Sequence, residues 1–580
     1  MPAPRYILGL SFFYHDSAAV LLKDGELVAA AQEERFTRKK ADDDFPVHAI
    51  RYCLSEAGIG AESLSAIAYY EKPFLHFERL LLSFIETWPR SLRPFLAAMP
   101  LWMRRKLWIE SVIRKETGFS GDVLYVDHHL SHAASAFFPS GFEEAAVLTL
   151  DGVGEWATTT CGIGKGNDLT LRRQIIYPDS LGLFYSSLTH YLGFKPNSAE
   201  YKVMGLAPYG TPRYIDKLRS LIAIHDDGSY TLNRKVFGWH MSARKTSRAL
   251  TRLLGEPTRR PESPLSQFHK DVARSLQDVL EEAVVALAKR VRTETGMDRL
   301  CLAGGVALNC VANSRILRED IFTDVFIQPA SGDAGGALGA ALYVEHAVLK
   351  NARRFPMHHV FWGPSYADAA IEEALTDAGI HYRALGKEQL IKETAALLAD
   401  NKVVGWFQGR MEYGPRSLGN RSILGDPRQK ENWQRINLKI KFRESFRPFA
   451  PSVLLERSGD YFDLRVPSPF MLLTAQTKND DLPAVTHVDG SARLQTIAHA
   501  ENPLYYELIE EFAALTGCPV LINTSFNVRS EPIVCTPLDA VHCFLATDID
   551  YLAIGNCLID KKDVPKEMLD RSIIDHYELD

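Results

Sequence analysis

The segment Asp127-His128-His129-Leu130-Ser131-His132-Ala133-Ala134-Ser135-Ala136 sets two imidazoles four residues apart. On a helix, which its alanine and serine content allows, His128 and His132 share one face and can close on a single metal ion. Such a pair needs one or two further ligands from elsewhere. Asp151, at the end of an apolar run, and Asp333, after a glycine turn, are the best placed. A mixed nitrogen and oxygen set suits iron, zinc or manganese, and the sequence does not choose among them. The competing readings are a chance H-x-x-x-H pair, a turn aspartate and a helix cap; His129 is the spare member of the trio.

A second chemistry lies far along the chain. From Arg410 to Arg447 there are seven arginines and three lysines against four acids, in a chain whose net charge is -6. The arginines of GRMEYGPRSLGNRSILGDPR alternate with Gly, Pro, Ser and Asn turn residues. Guanidinium groups on turn-rich backbone are how a protein wraps a small, multiply charged anion such as a phosphate. Lys441, Arg443 and Arg447 in KFRESFRPFAP continue the basic run, and NTSFN follows at 523–527. Two glycine turns, Gly304-Gly305 and Gly332 to Gly336, stand where strands run into helices. There backbone N–H groups and a helix dipole can face an anion. Neither turn is a P-loop or a dinucleotide fingerprint. Tight packing is the competing reading, and for Gly339 the better one.

These residues must be positioned by regular elements. Tyr6–Leu10, Ser17–Leu22 and Leu27–Ala31, joined by a polar turn and by Asp24-Gly25, describe a three-stranded meander. The runs AAVLTL, ATTTCGIG and LTLRRQI from Ala145 repeat it. Two meanders, each followed by helical segments, predict a duplicated α/β domain of the ribonuclease-H type found in actins and sugar kinases. Helical periodicity is strong over Gln267–Thr295, followed by a strand at Leu300–Ala303, a helix from about Leu308, and another running from the second glycine turn through Val348. Pro356 and Pro364 mark an exit, and the boundary is placed near 360. A further α/β block follows, giving domains 1–360 and 361–580.

At 580 residues the chain suits two or three domains. A hydrophobic content of 46% is that of a globular protein, and the modest net charge argues against an electrostatic nucleic-acid or membrane binder as a whole. The eight cysteines form no C-x-x-C pair, the N-terminus reads as strand and turn with no signal peptide, and a cytoplasmic location is expected. The greasiest region, Phe74 to Val112, is interrupted by charges and prolines and cannot span a bilayer. The wider segment Pro73 to Gly118, rich in Phe, Leu, Trp and Arg, reads as a subunit interface or plain core ahead of a lid over the acceptor.

The sequence resembles the nodulation-protein and antibiotic O-carbamoyltransferases over essentially its whole length. The matching motifs are YHDSAA at 14–19, HHLSHAASA at 128–136, EYKVMGLAPYG at 200–210 and LAGGVALN at 302–309. GDAGGALGAAL at 332–342, EYGPRSLGNRSIL at 412–424, KFRESFRPFAP at 441–451 and NTSFN complete the set. The resemblance implies a metal-bearing N-terminal domain and a C-terminal domain like the enzyme that makes threonylcarbamoyl adenylate. It implies that His128, His132, Asp151 and Asp333 hold iron(II). It implies that Arg416, Lys441, Arg443, Arg447, Ser525 and Asn527 line a pocket for carbamoyl phosphate and ATP, the latter with Mg, with Lys441 and Arg443 acting on the shifting phosphate charge. Gly304, Gly305, Asn309, Gly335, Gly336 and Lys202 would accommodate carbamoyl adenylate. His15, on the first turn, is the candidate general base for an acceptor hydroxyl, because an imidazole titrates near neutrality; a hydrogen-bonded turn histidine is its alternative.

The expected reaction is transfer of a carbamoyl group, activated with ATP, to a small-molecule hydroxyl. The expected partners are therefore small molecules. No membrane partner is expected, nucleic acid is disfavoured for want of an extended basic surface, and a homodimer is left open. The runner-up is an ATP-dependent small-molecule kinase of the sugar-kinase and actin superfamily. A nucleotide-binding switch and a tRNA-modifying enzyme stand further back.

Overall fold

Tyr6–Ser11 (β1), Ala18–Lys23 (β2) and Glu26–Gln32 (β3) form an antiparallel meander, and Leu64–Tyr69 (β4) and Asp122–Tyr125 (β5) extend it in parallel from β1. The sheet order is β3-β2-β1-β4-β5. Glu144–Leu150 (β6), Ala157–Lys165 (β7) and Asp168–Ile176 (β8) form a second meander. Arg299–Ala303 (β9) joins β6 in parallel and Asp324–Ile327 (β10) joins β9, giving the order β8-β7-β6-β9-β10. The two sheets have the same order and the same strand directions, so the duplication expected from the meanders is real. The computed structural model describes residues 4–237, 248–354 and 356–569.

The central strands β1 and β6 are apolar and almost wholly buried, as a sheet covered on both faces requires. Each half sends a helix back from its last strand: His128–Phe137 (α1) follows β5, and Asp333–Leu342 (α3) follows β10. Between them in the chain comes the 29-residue helix Gln267–Thr295 (α2), whose ends are the predicted ones; Ser266 and His269 form its capping box. The expected helix from Leu308 is a short 3-10 turn, Gly305–Leu308, followed by Cys310–Arg318, which Asn309 caps by accepting from the Ala312 N–H. The final helix loosens after Leu342 into a π-turn, Tyr343–Val348.

α3 reads DAGGALGAAL and is buried along its whole length. A helix of small residues surrounded by protein lets neighbouring backbones approach closely. A Cβ on Gly9 of β1 would lie 2.0 Å from Ala337 O, and one on Gly339 would lie 1.7 Å from Ser131 O of α1. The glycines therefore set how near α1 and α3 can come.

The chain divides into two compact units, residues 1–33 with 41–357, and 34–40 with 358–580. The second is built on an eight-stranded mixed sheet. Its strands are Arg383–Ala384 (β11), Val404–Phe407 (β12), Arg421–Gly425 (β13), Ala450–Leu454 (β14), Gln495–Ile497 (β15), Val520–Ser525 (β16), Tyr551–Ile554 (β17) and Cys557–Asp560 (β18), in the order β11-β18-β17-β12-β13-β16-β14-β15. Trp406, Phe407, Ile423, Leu521 and Ile522 lie in its core. Membership of residues 34–40 in this unit was not foreseen. All eight cysteines are buried and none is in a disulfide. Among the described residues no helix is long and apolar enough to cross a membrane.

Candidate active site

The histidine helix begins at His128 because the chain leaves β5 through Asp127, and Glu155 caps it. Both carboxylate oxygens of Glu155 accept from the His128 N–H, at 3.0 and 3.2 Å, which satisfies a donor that a helix start leaves open. His128 and His132 then project from one face, with their Nε2 atoms 3.1 Å apart. Asp151, directly after β6, places Oδ2 3.1 Å from His128 Nε2 and 4.0 Å from His132 Nε2. Asp333, the first residue of α3, places Oδ1 3.8 and 3.7 Å from the same two nitrogens. One potential ligand atom from each residue lies within 4.8 Å of every other, and all four residues are buried.

The placement follows from the duplication. α1 and α3 occupy equivalent positions in the two halves, and so do the chain leaving β1, which carries His15, and the chain leaving β6, which carries Asp151. Sequence-distant residues therefore meet because both halves offer the same strand ends and helix starts.

The donor set fits a divalent cation. Asp333 Oδ1 is buried without a hydrogen-bond donor, and it faces two imidazole nitrogens that already face each other. Two lone pairs at 3.1 Å need a proton or a cation between them. Burial alone would lower the His128 pKa, but the hydrogen-bonded Asp151 carboxylate and the nearby Asp333 outweigh it and hold it up at about 9. Burial would likewise raise Asp151, but its bond to His128 and the charge of His132 hold it well below the carboxylate range. Both shifts express the same fact: the carboxylates call for positive charge at this point. His129 has a different role. Its Nδ1 lies 2.6 Å from Thr149 Oγ1 and its Nε2 2.9 Å from the Ala157 carbonyl, and burial, with the neighbouring His128, pushes its pKa down to about 3.

His15 stands at the edge of this cluster. Its Nε2 is 3.7 Å from Asp333 Oδ2 and its Nδ1 3.0 Å from Asp16 Oδ2. Burial would depress its pKa, yet Asp333, Asp16 and Asp151 together hold it up at about 10. Tyr70 and Glu155 were not singled out in the sequence. The Tyr70 hydroxyl donates to Asp333 Oδ2 at 3.3 Å. Glu155 lies four residues past Asp151 in DGVGEW, and only that proximity hinted at it.

The glycine turns divide. Gly304 has φ +91°, and a Cβ there would lie 2.3 Å from the Leu150 carbonyl; Gly305 donates its N–H to Asp151 Oδ1 at 2.8 Å. This turn therefore positions a candidate ligand. Gly335 and Gly336 are buried against Ala330 O and the Tyr70 ring, so packing requires their small size. Asn309 exchanges two hydrogen bonds with Gln277, both 3.0 Å. Lys202 is fully buried with Nζ over the Phe194 ring.

In the second unit Lys441 is buried, and its ammonium donates to Ser525 O at 2.6 Å, Asn527 O at 2.7 Å and Asn527 Oδ1 at 2.5 Å. Burial and then the positive charge of Arg443 hold its pKa well below that of an ordinary lysine. Arg443 donates to Asn437 Oδ1 at 2.7 Å and lies over Phe449, while the Arg447 carbonyl accepts from Asn437 at 3.0 Å. Lys441, Ser525 and Asn527 thus form one group, with Arg443 and Arg447 joined through Asn437. Arg416 lies in the 412–420 loop, which folds around Glu412: the Glu412 Oε1 accepts from the Leu418 N–H at 2.7 Å and the Asn420 N–H at 2.9 Å. Arg421 is spent on structure, fully buried and donating to four backbone carbonyls. Arg38 was missed. From the 34–40 segment it donates to Glu531 Oε1 at 2.8 Å and to the Pro532 and Ile533 carbonyls at 2.7 Å. The Glu531 carbonyl in turn accepts from Asn527 at 2.6 Å, so Arg38 steadies the strand end that meets Lys441. The arginines of EERFTRKK were the available signal.

Comparison with known proteins agrees with this two-unit layout. A model of the carbamoyltransferase N-terminus matches residues 6–342, and one of the carbamoyltransferase C-terminus matches 395–561. The chain belongs to the carbamoyltransferase family. An uncharacterized protein of Synechocystis is 50% identical, covering 99% of this chain and all of its own. Nodulation protein NolNO of Sinorhizobium fredii is 42% identical, covering 96% of this chain and 80% of its own. Among solved structures, full-length HypF in a phosphate- and nucleotide-bound form is 11% identical with a TM-score of 0.32, over 59% of this chain and 56% of its own, a likeness too remote to bear on chemistry. Membership in the carbamoyltransferases makes the chain an enzyme of that class and disfavours the kinase alternative.

Proposed function

We propose that this carbamoyltransferase activates carbamoyl phosphate with ATP in its second unit and transfers the carbamoyl group to a small-molecule hydroxyl in its first. The observation that carries the reading is the convergence of His128, His132, Asp151 and Asp333 beside His15, within a chain that matches both carbamoyltransferase models.

In the second unit, water cleaves carbamoyl phosphate to carbamate and phosphate. A carbamate oxygen then attacks the ATP α-phosphorus, and pyrophosphate leaves. Arg443, Arg447 and Arg416 would supply positive charge as phosphate charge shifts, the kind of preorganised field that dominates such steps, and Lys441 would join them once an anionic phosphate offsets the burial that lowers its pKa. Ser525 and Asn527 would hold the Lys441 ammonium in place through the hydrogen bonds they already make. The product, carbamoyl adenylate, is a labile mixed anhydride whose transfer must be shielded from water.

In the first unit, His128, His132, Asp151 and Asp333 would hold a divalent ion, iron(II) being the expectation and zinc or manganese alternatives by donor type. When bound, that ion supplies Lewis acidity towards the carbamoyl or phosphoryl oxygen. Glu155 fixes the direction of the histidine helix, Gly305 that of Asp151, and Tyr70 that of Asp333. His15 Nε2 takes the proton of the acceptor hydroxyl as its oxygen attacks the carbamoyl carbon, and AMP leaves. The carboxylates that hold His15 protonated lose that pull when a cation opposes them, which frees Nε2 to act as a base.

The test is pyrophosphate release from purified protein given ATP with and without carbamoyl phosphate, together with mass analysis of added hydroxylated acceptors. Release that depends on carbamoyl phosphate, with a carbamoylated acceptor, is expected. Formation of ADP in place of pyrophosphate and AMP overturns the reading.

A further inference from the structure

Ten large apolar side chains among the described residues are more than half exposed, and six of them fall between residues 74 and 108: Phe74, Ile85, Trp88, Leu96, Met103 and Trp108. They stand on a helical insert between β4 and β5, made of Pro73–Glu86, Leu92–Leu101, the π-turn Trp102–Lys106 and Ile109–Thr117. On the first helix Phe74, Leu82 and Ile85 fall within one face at 100° per residue. The exposed face of the second carries Leu92, Leu96 and Pro100 with Arg93. Between Thr87 and Trp108 four arginines are exposed and there is no acidic residue, while the flanking helices expose Glu78, Glu86, Glu110 and Glu116, in a chain that is acidic overall. Clustered apolar exposure of this extent marks an interaction surface.

We infer that this insert is a docking surface for an anionic lipid bilayer, into whose interface its Trp88, Leu96 and Trp108 side chains insert while Arg93 and Arg104 meet the headgroups. Exposed tryptophan and leucine interleaved with arginine is the composition of segments that lie in the interface without crossing it. Charge selects this occupant over a second copy of the chain. A symmetric dimer through the 87–108 segment would set its arginines against the same arginines, with no acid of that segment to meet them, whereas an anionic surface complements them.

Contacts of the insert tie this surface to the candidate active site. Lys106 donates to the Phe13 carbonyl, and Arg105 lies over the Phe13 ring, two residues before His15. Arg79 donates to the Glu155 carbonyl at 2.5 Å, and Trp102 packs on His76, which pairs with Glu71 at 3.0 Å. Docking would therefore bring the His15 loop close to the bilayer surface.

The experiment is co-sedimentation of the full chain with vesicles of phosphatidylcholine alone or with 30 mol% phosphatidylglycerol, at low and high salt. Binding is expected only with phosphatidylglycerol and is lost at high salt. R93E/R104E is expected to weaken it by at least about tenfold, each basic side chain near such a surface contributing roughly a fivefold factor. W88S/L96S is expected to abolish it while the melting temperature holds, since these side chains are exposed. Failure to bind anionic vesicles, equal binding to both compositions, or unchanged binding by the variants overturns the inference. So does a concentration-dependent dimer that the W88S/L96S variant dissolves. None of these outcomes depends on carbamoyl transfer.

Discussion

Substituting Gly339 by alanine tests how the fold holds the candidate metal ligands. In an unconstrained helix this change is favourable by about 1 kcal/mol. Here the new Cβ would lie 1.7 Å from Ser131 O, 2.6 Å from Ser131 C and 2.9 Å from Ser135 N. Carbon–oxygen contacts settle near 3.3 Å or beyond, so α1 and α3 must part by roughly 1.5 Å. Every atom met is backbone, so no rotamer change relieves the clash. Overpacking of this kind costs about 1–3 kcal/mol, and the sign of the helix-propensity expectation reverses. The same displacement moves His128 and His132 away from Asp333, whose Oδ1 lies 3.8 and 3.7 Å from their Nε2 atoms. Metal–ligand distances tolerate only about 0.2 Å. Urea unfolding of the metal-free protein should show the stability loss, and titration with Fe(II) or Zn(II) should show at least about tenfold weaker binding. A Gly339→Ala protein as stable as the parent, with unchanged metal affinity, would refute the reasoning.

Asp151→Asn should leave less than about a tenth of the metal bound after dialysis, measured by mass spectrometry, since one anionic ligand is lost and the Gly305 N–H faces a weaker acceptor. His15→Asn should keep metal content and pyrophosphate release while carbamoyl transfer falls by about a hundredfold or more; full transfer would remove His15 as the base. Burial sets the folded pKa of Lys441 below its ordinary 10.5, so between those values the unfolded chain binds the extra proton and stability rises with pH. Urea unfolding between pH 7 and 9.5 should show a shallower rise for Lys441→Met than for the parent. The same variant should lose pyrophosphate release by about a hundredfold or more, and retained release would separate Lys441 from the chemistry.

How much was legible depends on whether the signal was local. The meanders at Tyr6 and Ala145 and the helix Gln267–Thr295 were readable because strand alternation, turn residues and helical periodicity lie within a few residues of one another. The i,i+4 spacing of His128 and His132 fixed their common face for the same reason. Asp151 and Asp333 could be nominated by their positions after a strand and a glycine turn. Their meeting with the histidines, at separations of 23 and more than 200 residues, came from the equivalence of the two halves and the close crossing that Gly339 permits.

Other assignments had no local signature. The glycine turns looked alike in sequence, yet Gly305 orients Asp151 while Gly335 and Gly336 admit Ala330 and Tyr70. Arg421 and Lys441 are both basic residues in one run, but neighbouring carbonyls absorb the first, and the second is gathered with Ser525 and Asn527. The apolar stretch after Pro73 could have been core; its exposure depends on what the rest of the chain leaves uncovered. The sequence determined element types, the histidine face and the family, because these rest on neighbours along the chain. Which side chains converge, which are spent on packing and which face solvent was decided by the tertiary structure, because burial and distance are properties of residues remote in sequence.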